Sequence, residues 1–133
     1  ALTYSGHPLA MAAIVATLDA MEAEGVVANA DAVGNGPLAA GLQQLAERYA
    51  IIGDWRGVGV FHALELVSDP VYKTPLPGAE VLKLKQQLME NGLLVFTVEN
   101  RLHVVPPCII TAAEVEEGLA ILDRVLKNYT ASR

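Results

Sequence analysis

Cysteine is almost absent from this chain, since Cys108 is the only one in 133 residues. One thiol can form neither an intrachain disulfide nor a cysteine-based metal cluster, and it fits a reducing compartment, so we expect a cytoplasmic protein. The three histidines, His7, His62 and His103, lie far apart and lack metal-ligand spacing. The sequence therefore predicts no metal site.

Basic residues are also few. The chain has 9 Lys and Arg against 15 Asp and Glu, for a net charge of −6, and the basic residues are scattered. Nucleic-acid binding requires a localised basic face that neutralises phosphates. We therefore expect no nucleic-acid partner.

A long apolar run without polar residues is missing as well. The longest uncharged run, residues 1–18, contains Ser, Gly, His and Pro near its start and has no basic flank. It is too polar to span a bilayer and is not typical of a signal peptide. With 53% hydrophobic and 18% charged residues, the chain should instead fold around one core, without a membrane partner.

The opening stretch Thr-Tyr-Ser-Gly-His-Pro, residues 3–8, precedes an apolar run that predicts a helix. Hydroxyls and backbone N–H groups at the start of a helix suit an anion, because the positive end of the helix dipole lies there. Pro8 at the first helical position agrees with this interpretation. The same residues are also compatible with an ordinary surface turn.

Hydrophobic periodicity predicts the order helix, helix, strand, helix, strand, strand, helix. The predicted segments are residues 8–24, 26–49, 55–67, 79–90, 93–98, 102–105 and 112–129. Pro37 predicts a break in the second helix near Gly36, and Thr111 with Glu114 predicts a capping box on the last helix. His62 lies on an otherwise apolar strand face and is interpreted as a hydrogen-bonded core histidine.

These segments predict an α+β fold. We expect a small, largely antiparallel sheet of about three strands with helices on one face, preceded by a long linking helix. Residues 99–101 should form the turn of a hairpin between the last two strands.

Three ordered segments of the chain resemble class III pyridoxal-phosphate-dependent aminotransferases of fold type I. They are residues 3–10 with 18–25, residues 55–61 with 64–66, and residues 105–114, which contain the family's Pro-Pro strand exit. The matches cover nearly the whole chain but only the family's C-terminal third. The resemblance implies a loop and interdomain linking helix at residues 1–25, a C-terminal small domain at residues 26–133, and a large cofactor-binding domain that this chain lacks.

The resemblance also implies the residues of a cofactor site. The Schiff-base lysine of the family lies upstream of residues 3–8, so Lys73, Lys83, Lys85 and Lys127 are not given that role and the fragment alone should be inactive. Thr3 carries over as the residue that reaches across a homodimer interface to the cofactor phosphate of the partner subunit, and Ser5 is a second, weaker candidate.

Substrate recognition departs from the family pattern. One branch has an arginine three positions before the Pro-Pro pair, where this chain has His103, and another has an arginine about ten positions before it, where this chain has Phe96. Arg101 shares a strand face with His103 and could bind a carboxylate or sulfonate. The alternative for Arg101 is an exposed hairpin residue.

We therefore expect the C-terminal part of an enzyme that transfers an amino group from an amine or ω-amino acid to a 2-oxo acid through pyridoxal phosphate. The rival hypothesis is a non-catalytic α+β interaction or regulatory module in which the match at residues 3–8 is accidental. The sequence does not specify the donor or the acceptor.

Overall fold

The computed structural model describes residues 3–132, so residues 1, 2 and 133 of the predicted segments lie outside the described part. The helices within it are α1 (Pro8–Ala23), α2 (Val26–Val33), α3 (Ala39–Arg48), α4 (Gly78–Glu90) and α5 (Ala112–Ala131). The strands are β1 (Ile52–Val58), β2 (Phe61–Asp69), β3 (Thr74–Pro75), β4 (Phe96–Val98) and β5 (Arg101–Val104).

Helix α1 follows the opening turn and has Pro8 in its first turn, as predicted. It stops before Gly25, which has a left-handed φ of 61° that a residue with a Cβ adopts only at a cost. No residue of α1 is buried against the rest of the described chain.

The predicted break in the second helix is confirmed. A π-helical turn at Gly34–Leu38 separates α2 from α3, and Gly36 has non-helical angles of φ −94° and ψ −108°. Pro37 causes part of this break, because it lacks the N–H of a regular helix and restricts the residue before it. Leu38 and Gly34 are nevertheless buried, so the interruption packs against the core.

All strand pairs are antiparallel, in the order β1-β2-β5-β4, with β3 added beside β2. The prediction of an antiparallel sheet with helices on one face is confirmed, but the sheet has five strands where about three were expected.

Two strands were not expected: β3, which pairs with the end of β2, and a second strand from residues 55–67, which were predicted as one strand and form a hairpin. Val58 pairs with Phe61, and the chain reverses at Gly59 and Val60. Gly59 has a φ of 54°, which permits so tight a turn. Because of the reversal, Val58 is exposed, whereas His62, Leu64 and Leu66 face the core.

The core lies between one face of the sheet and helices α3, α4 and α5. Strands β2 and β5 and the three helices each contribute at least one fully buried side chain. These include Leu42, Leu64, Leu84, Leu102 and Leu126. Val81, Leu84 and Leu88 form the buried face of α4. The predicted core role of His62 is confirmed, since the residue is 1% exposed and its Nε2–H donates to the carbonyl oxygen of Gly59 at 2.8 Å.

Candidate functional site

The opening turn presents two hydroxyl side chains in front of α1. Thr3 and Ser5 are both exposed, and Gly6 has a φ of 78°, so the turn needs a glycine there. The N–H of His7 donates to the carbonyl oxygen of Tyr4 at 3.1 Å and closes the turn. This hydrogen bond encloses Ser5, and Thr3 lies directly before the enclosed residues.

The start of α1 is open to an additional acceptor. His7 is the N-cap residue, and its side chain makes no capping hydrogen bond. The first N–H groups of a helix have no acceptor within that helix, and Pro8 removes one of them. Hydroxyls and N–H groups together can donate to a phosphate, so this turn fits the phosphate end of pyridoxal phosphate. It supplies no amine for the aldehyde end.

The second group of predicted residues lies on the sheet face opposite the helices, which we call the open face. It comprises Arg101 and His103 of β5 with the side chains that strand pairing places beside them, namely Asp54, Arg56, Phe61, Glu65, Phe96 and Val98. Alternation along β5 turns Leu102 into the core and leaves Arg101 and His103 on this face.

The guanidinium groups of the open face are paired with carboxylates. Arg56 contacts Asp54 and donates from Nη2 to Glu65 Oε2 at 2.9 Å, and these hydrogen bonds, that to Glu65 first, raise the pKa of Arg56. Arg101 donates from Nη2 to Glu99 Oε2 at 2.8 Å. Its Nε is buried and has no hydrogen-bond partner among the described residues.

His103 lies between two phenylalanine rings. The imidazole makes edge contacts with Phe61 and Phe96, with ring centroids 6.1 Å and 5.8 Å apart. Its Nε2 is buried and has no described partner, so this nitrogen is turned away from solvent. The apolar side of the open face is therefore aromatic, and its other side is charged.

The structure brings Arg101 and His103 together, and it holds Thr3 and Ser5 in one turn. No hydrogen bond or ring contact described for residues 3–132 joins the two groups. Sequence reasoning did not identify Phe61 and Glu99 as neighbours of this pair. The predicted turn at residues 99–101 indicated that Glu99 lies near Arg101. That Phe61 lies near His103 follows only from the pairing register of β2 with β5, which the sequence does not show.

Three of the four lysines, Lys73, Lys83 and Lys127, occupy ordinary surface positions. Lys73 donates to the carbonyl oxygen of Gly53 at 2.5 Å, Lys83 pairs with Glu80 at 2.6 Å, and Lys127 is exposed. Lys85 differs slightly, being half-buried on α4. Residues 3–132 contain no cluster of potential metal ligands, and none of their helices is long and apolar enough to cross a membrane.

Comparison with known proteins identifies the class of fold and site. Residues 1–126 match the family described as aminotransferase class-III. The chain therefore belongs to the class III aminotransferase family. The match at residues 3–8 is part of this family-wide similarity, which argues against the accidental match that the interaction-module hypothesis required.

Particular relatives are similar over most of this chain. Acetylornithine aminotransferase from Thermosynechococcus vestitus is 37% identical over 98% of the chain, and 5-aminovalerate aminotransferase DavT from Pseudomonas aeruginosa is 37% identical over 90%. The crystal structure of a PLP-bound amine transaminase from an uncultivated Pseudomonas species superposes with a TM-score of 0.87 and 38% identity over 96% of the chain. The chain spans 30%, 28% and 29% of these relatives' lengths, respectively.

Proposed function

We propose that the protein containing this chain is a pyridoxal-phosphate-dependent transaminase that moves an amino group from an amine or ω-amino acid to a 2-oxo acid. The observation that carries the proposal is the family match over residues 1–126, together with an exposed turn that carries Thr3, the residue to which the resemblance assigns contact with the cofactor phosphate. The chain itself should be inactive, because the resemblance implies that the Schiff-base lysine lies upstream of residues 3–8. The cytoplasm remains its predicted location.

Pyridoxal phosphate, when bound, carries the amino group and accepts electrons from the substrate carbon. The part played by this chain is positioning. The hydroxyls of Thr3 and Ser5 would donate to the phosphate, and Gly6 permits the turn that presents them. A phosphate fixed in this way holds the reactive ring in a constant orientation.

We further propose that the enzyme is a homodimer in which Thr3 serves the site of the partner subunit. Thr3 and Ser5 are exposed and precede a helix with no buried residue, so the segment lies at the periphery of the described chain. A turn that completes a neighbouring site would make the dimer necessary for function. His103 is proposed to lie on the substrate side because it occupies the position of an arginine in one family branch, and Arg101 is proposed to lie there because it shares a strand face with His103.

The test is Thr3→Ala in the complete enzyme. Loss of one hydrogen bond to a charged phosphate should weaken cofactor retention by roughly 1.5–3 kcal/mol without unfolding the protein. Retention is measured from the cofactor absorbance after gel filtration. Thr17→Ala is the matched control, because the Thr17 hydroxyl is exposed on α1 and donates only to its own helix, to the carbonyl oxygen of Ala13 at 2.8 Å.

Mixed dimers decide whether Thr3 acts across the interface. A dimer with one subunit lacking the cofactor-binding lysine and the other carrying Thr3→Ala should keep one intact site. Activity that is found only when both lesions are on the same subunit would show that Thr3 serves its own subunit. Failure of the complete protein to bind pyridoxal phosphate at all would refute the proposed function.

A further inference from the structure

A partly open cavity of about 270 Å³ lies on the helix side of the sheet, where β5 ends. Its walls are residues 93–95, which precede β4, residues 103–107 at the end of β5 and beyond it, and the first half of α5. The cavity is larger than the roughly 150 Å³ apolar cavity that takes up benzene in an engineered protein, so about six carbon atoms fit inside it. His103 is the one lining residue that it shares with the open face.

The walls of this cavity are apolar. Val95, Val115 and Leu122 are buried parts of the lining, whereas Leu94 and Val105 are exposed at its opening. Water gains few hydrogen bonds from such walls, and an apolar ligand that displaces it is favoured by the hydrophobic effect. Cavities with an apolar lining and a few polar groups are the usual form of a small-molecule site.

The polar groups of the lining favour a cation over an anion. Pro106 and Pro107 have no backbone N–H, so this part of the wall cannot donate a hydrogen bond to an anion. Glu114 is the one lining residue with a formal charge. The hydrogen bonds from Thr111, the backbone bond first, lower the pKa of Glu114, so its carboxyl group is ionised near neutral pH.

The Glu114 carboxylate is already held in place and still has an oxygen to offer. Its Oε2 accepts both hydrogen bonds from Thr111, each at 2.8 Å, and no hydrogen bond from residues 3–132 is described for Oε1. Exposed ion pairs are weak partly because two long side chains have to be ordered to form them. Here one partner is ordered by the helix cap before a ligand arrives.

We propose that this cavity binds a small hydrophobic ammonium ion. The hydrocarbon part would lie against the apolar walls, and the N–H group would donate to Glu114 Oε1. The ligand is a cation because the one formal charge of the lining is negative, and it is apolar because the walls are. This inference goes beyond the proposed function and does not depend on it, since no cofactor takes part.

The test is calorimetric titration of the complete enzyme with N,N-dimethylhexylamine, a tertiary amine that cannot condense with an aldehyde cofactor. 1-Hexanol has the apolar chain without the charge, and trimethylamine has the charge without the chain. Each should bind at least about fivefold more weakly than dimethylhexylamine. Omitting pyridoxal phosphate should change the dissociation constant of dimethylhexylamine by less than about twofold.

Variants separate the charge from the volume of the cavity. Glu114→Gln removes the charge but keeps an oxygen for the hydrogen bonds from Thr111, since glutamine also serves in capping boxes. It should weaken dimethylhexylamine binding about fivefold and leave 1-hexanol within about twofold. Glu117→Gln is the matched control, because it changes an exposed carboxylate of α5 outside the lining, and it should affect neither ligand. Gly118→Leu adds a side chain at a lining position and should weaken both.

The inference is overturned if the complete enzyme does not bind dimethylhexylamine, which would mean that another part of the polypeptide fills the cavity. It is equally overturned if 1-hexanol binds as tightly, or if Glu117→Gln has the same effect as Glu114→Gln. Failure of the proposed function has a different signature, namely no retention of pyridoxal phosphate, and it would leave these titrations unchanged.

Discussion

Among the glycines, Gly34 has the least room for a side chain. It is buried in the π-helical turn, and a Cβ at this position would lie 2.0 Å from the carbonyl carbon of Gly59 and 2.5 Å from the N–H nitrogen of Val60. These are backbone atoms that cannot rotate away. His62 lies at the same junction, with Nε2 at 3.3 Å from the Gly34 carbonyl oxygen and 2.8 Å from that of Gly59. The helix break and the β1–β2 turn are thus packed backbone to backbone.

Gly34→Ala should therefore destabilise the chain by about 1–3 kcal/mol or more, the usual cost of overpacking when neighbours cannot move. The measurement is the denaturant midpoint. Gly118→Ala on α5 is the matched control, because its Cβ would lie 3.8 Å from Leu93 Cδ1 and alanine favours a helix, so it should be neutral or slightly stabilising. Equal midpoints for the two variants would contradict the close approach.

Residue roles that depend on local chemistry were predictable from the sequence. His62 as a core histidine and Thr111 with Glu114 as a capping box follow from patterns within a few residues, and the structure confirms both. The ring contacts of His103 with Phe61 and Phe96 depend on the pairing of three strands, which no short pattern specifies. Thr3, Ser5 and Arg101 remain predictions as binding residues, since their roles need parts of the enzyme beyond this chain.

Among the helices, α5 is the one whose N-terminus is capped by side-chain hydrogen bonds in the described structure. Glu114 Oε2 accepts from the backbone N–H and the hydroxyl of Thr111, each at 2.8 Å, and the N–H of Glu114 donates to Thr111 Oγ1 at 3.3 Å. These hydrogen bonds, the backbone bond first, lower the pKa of Glu114 below its ordinary 4.5. A carboxyl group whose pKa is lower in the folded than in the unfolded state stabilises the fold above its unfolded pKa, and this contribution is lost as the pH falls through the folded value.

Glu114→Gln should accordingly flatten the dependence of unfolding free energy on pH between about 5 and 3, because the amide does not titrate. The measurement is denaturant unfolding at a series of pH values. Glu117→Gln, which changes an exposed carboxylate on the same helix, is the control and should leave the slope closer to that of the parent. A slope unchanged by Glu114→Gln but altered by Glu117→Gln would contradict the role of the cap.

The elements also show why the strand count was underestimated. Residues 55–67 alternate well enough to be interpreted as one strand, and the reversal at Gly59 and Val60 is a loop of only two residues. Gly57 allows a close approach within this hairpin, since a Cβ there would lie 2.3 Å from His62 Nδ1 and 2.4 Å from the carbonyl oxygen of Phe61. The sequence did not distinguish this approach from a turn because glycine serves both.

At the scale of the whole molecule, α1 differs from the helices of the core in that its apolar side chains are exposed. Helices α3, α4 and α5 cover one face of the sheet and contribute its buried side chains. Helix α1 contributes none, although it carries Leu9, Ile14, Val15 and Leu18, all at least half exposed. A helix that is apolar around most of its circumference is normally covered on several sides. A partner surface for α1 therefore has to come from other polypeptide.

We expect the 133-residue chain to self-associate when isolated, because an apolar surface of this kind binds other apolar surfaces in water. Sedimentation velocity over a concentration series should show a rising weight-average mass. Ile14→Glu combined with Leu18→Glu places two charges on one helix face and should shift the chain towards monomer, and the glutamates are themselves good helix formers. Leu82→Glu is the matched control, because Leu82 is 62% exposed on α4, comparable to Leu18 at 59%, yet lies outside α1. If the parent chain stays monomeric at all concentrations, or if Leu82→Glu shifts it towards monomer equally well, α1 is not the surface through which the chain self-associates.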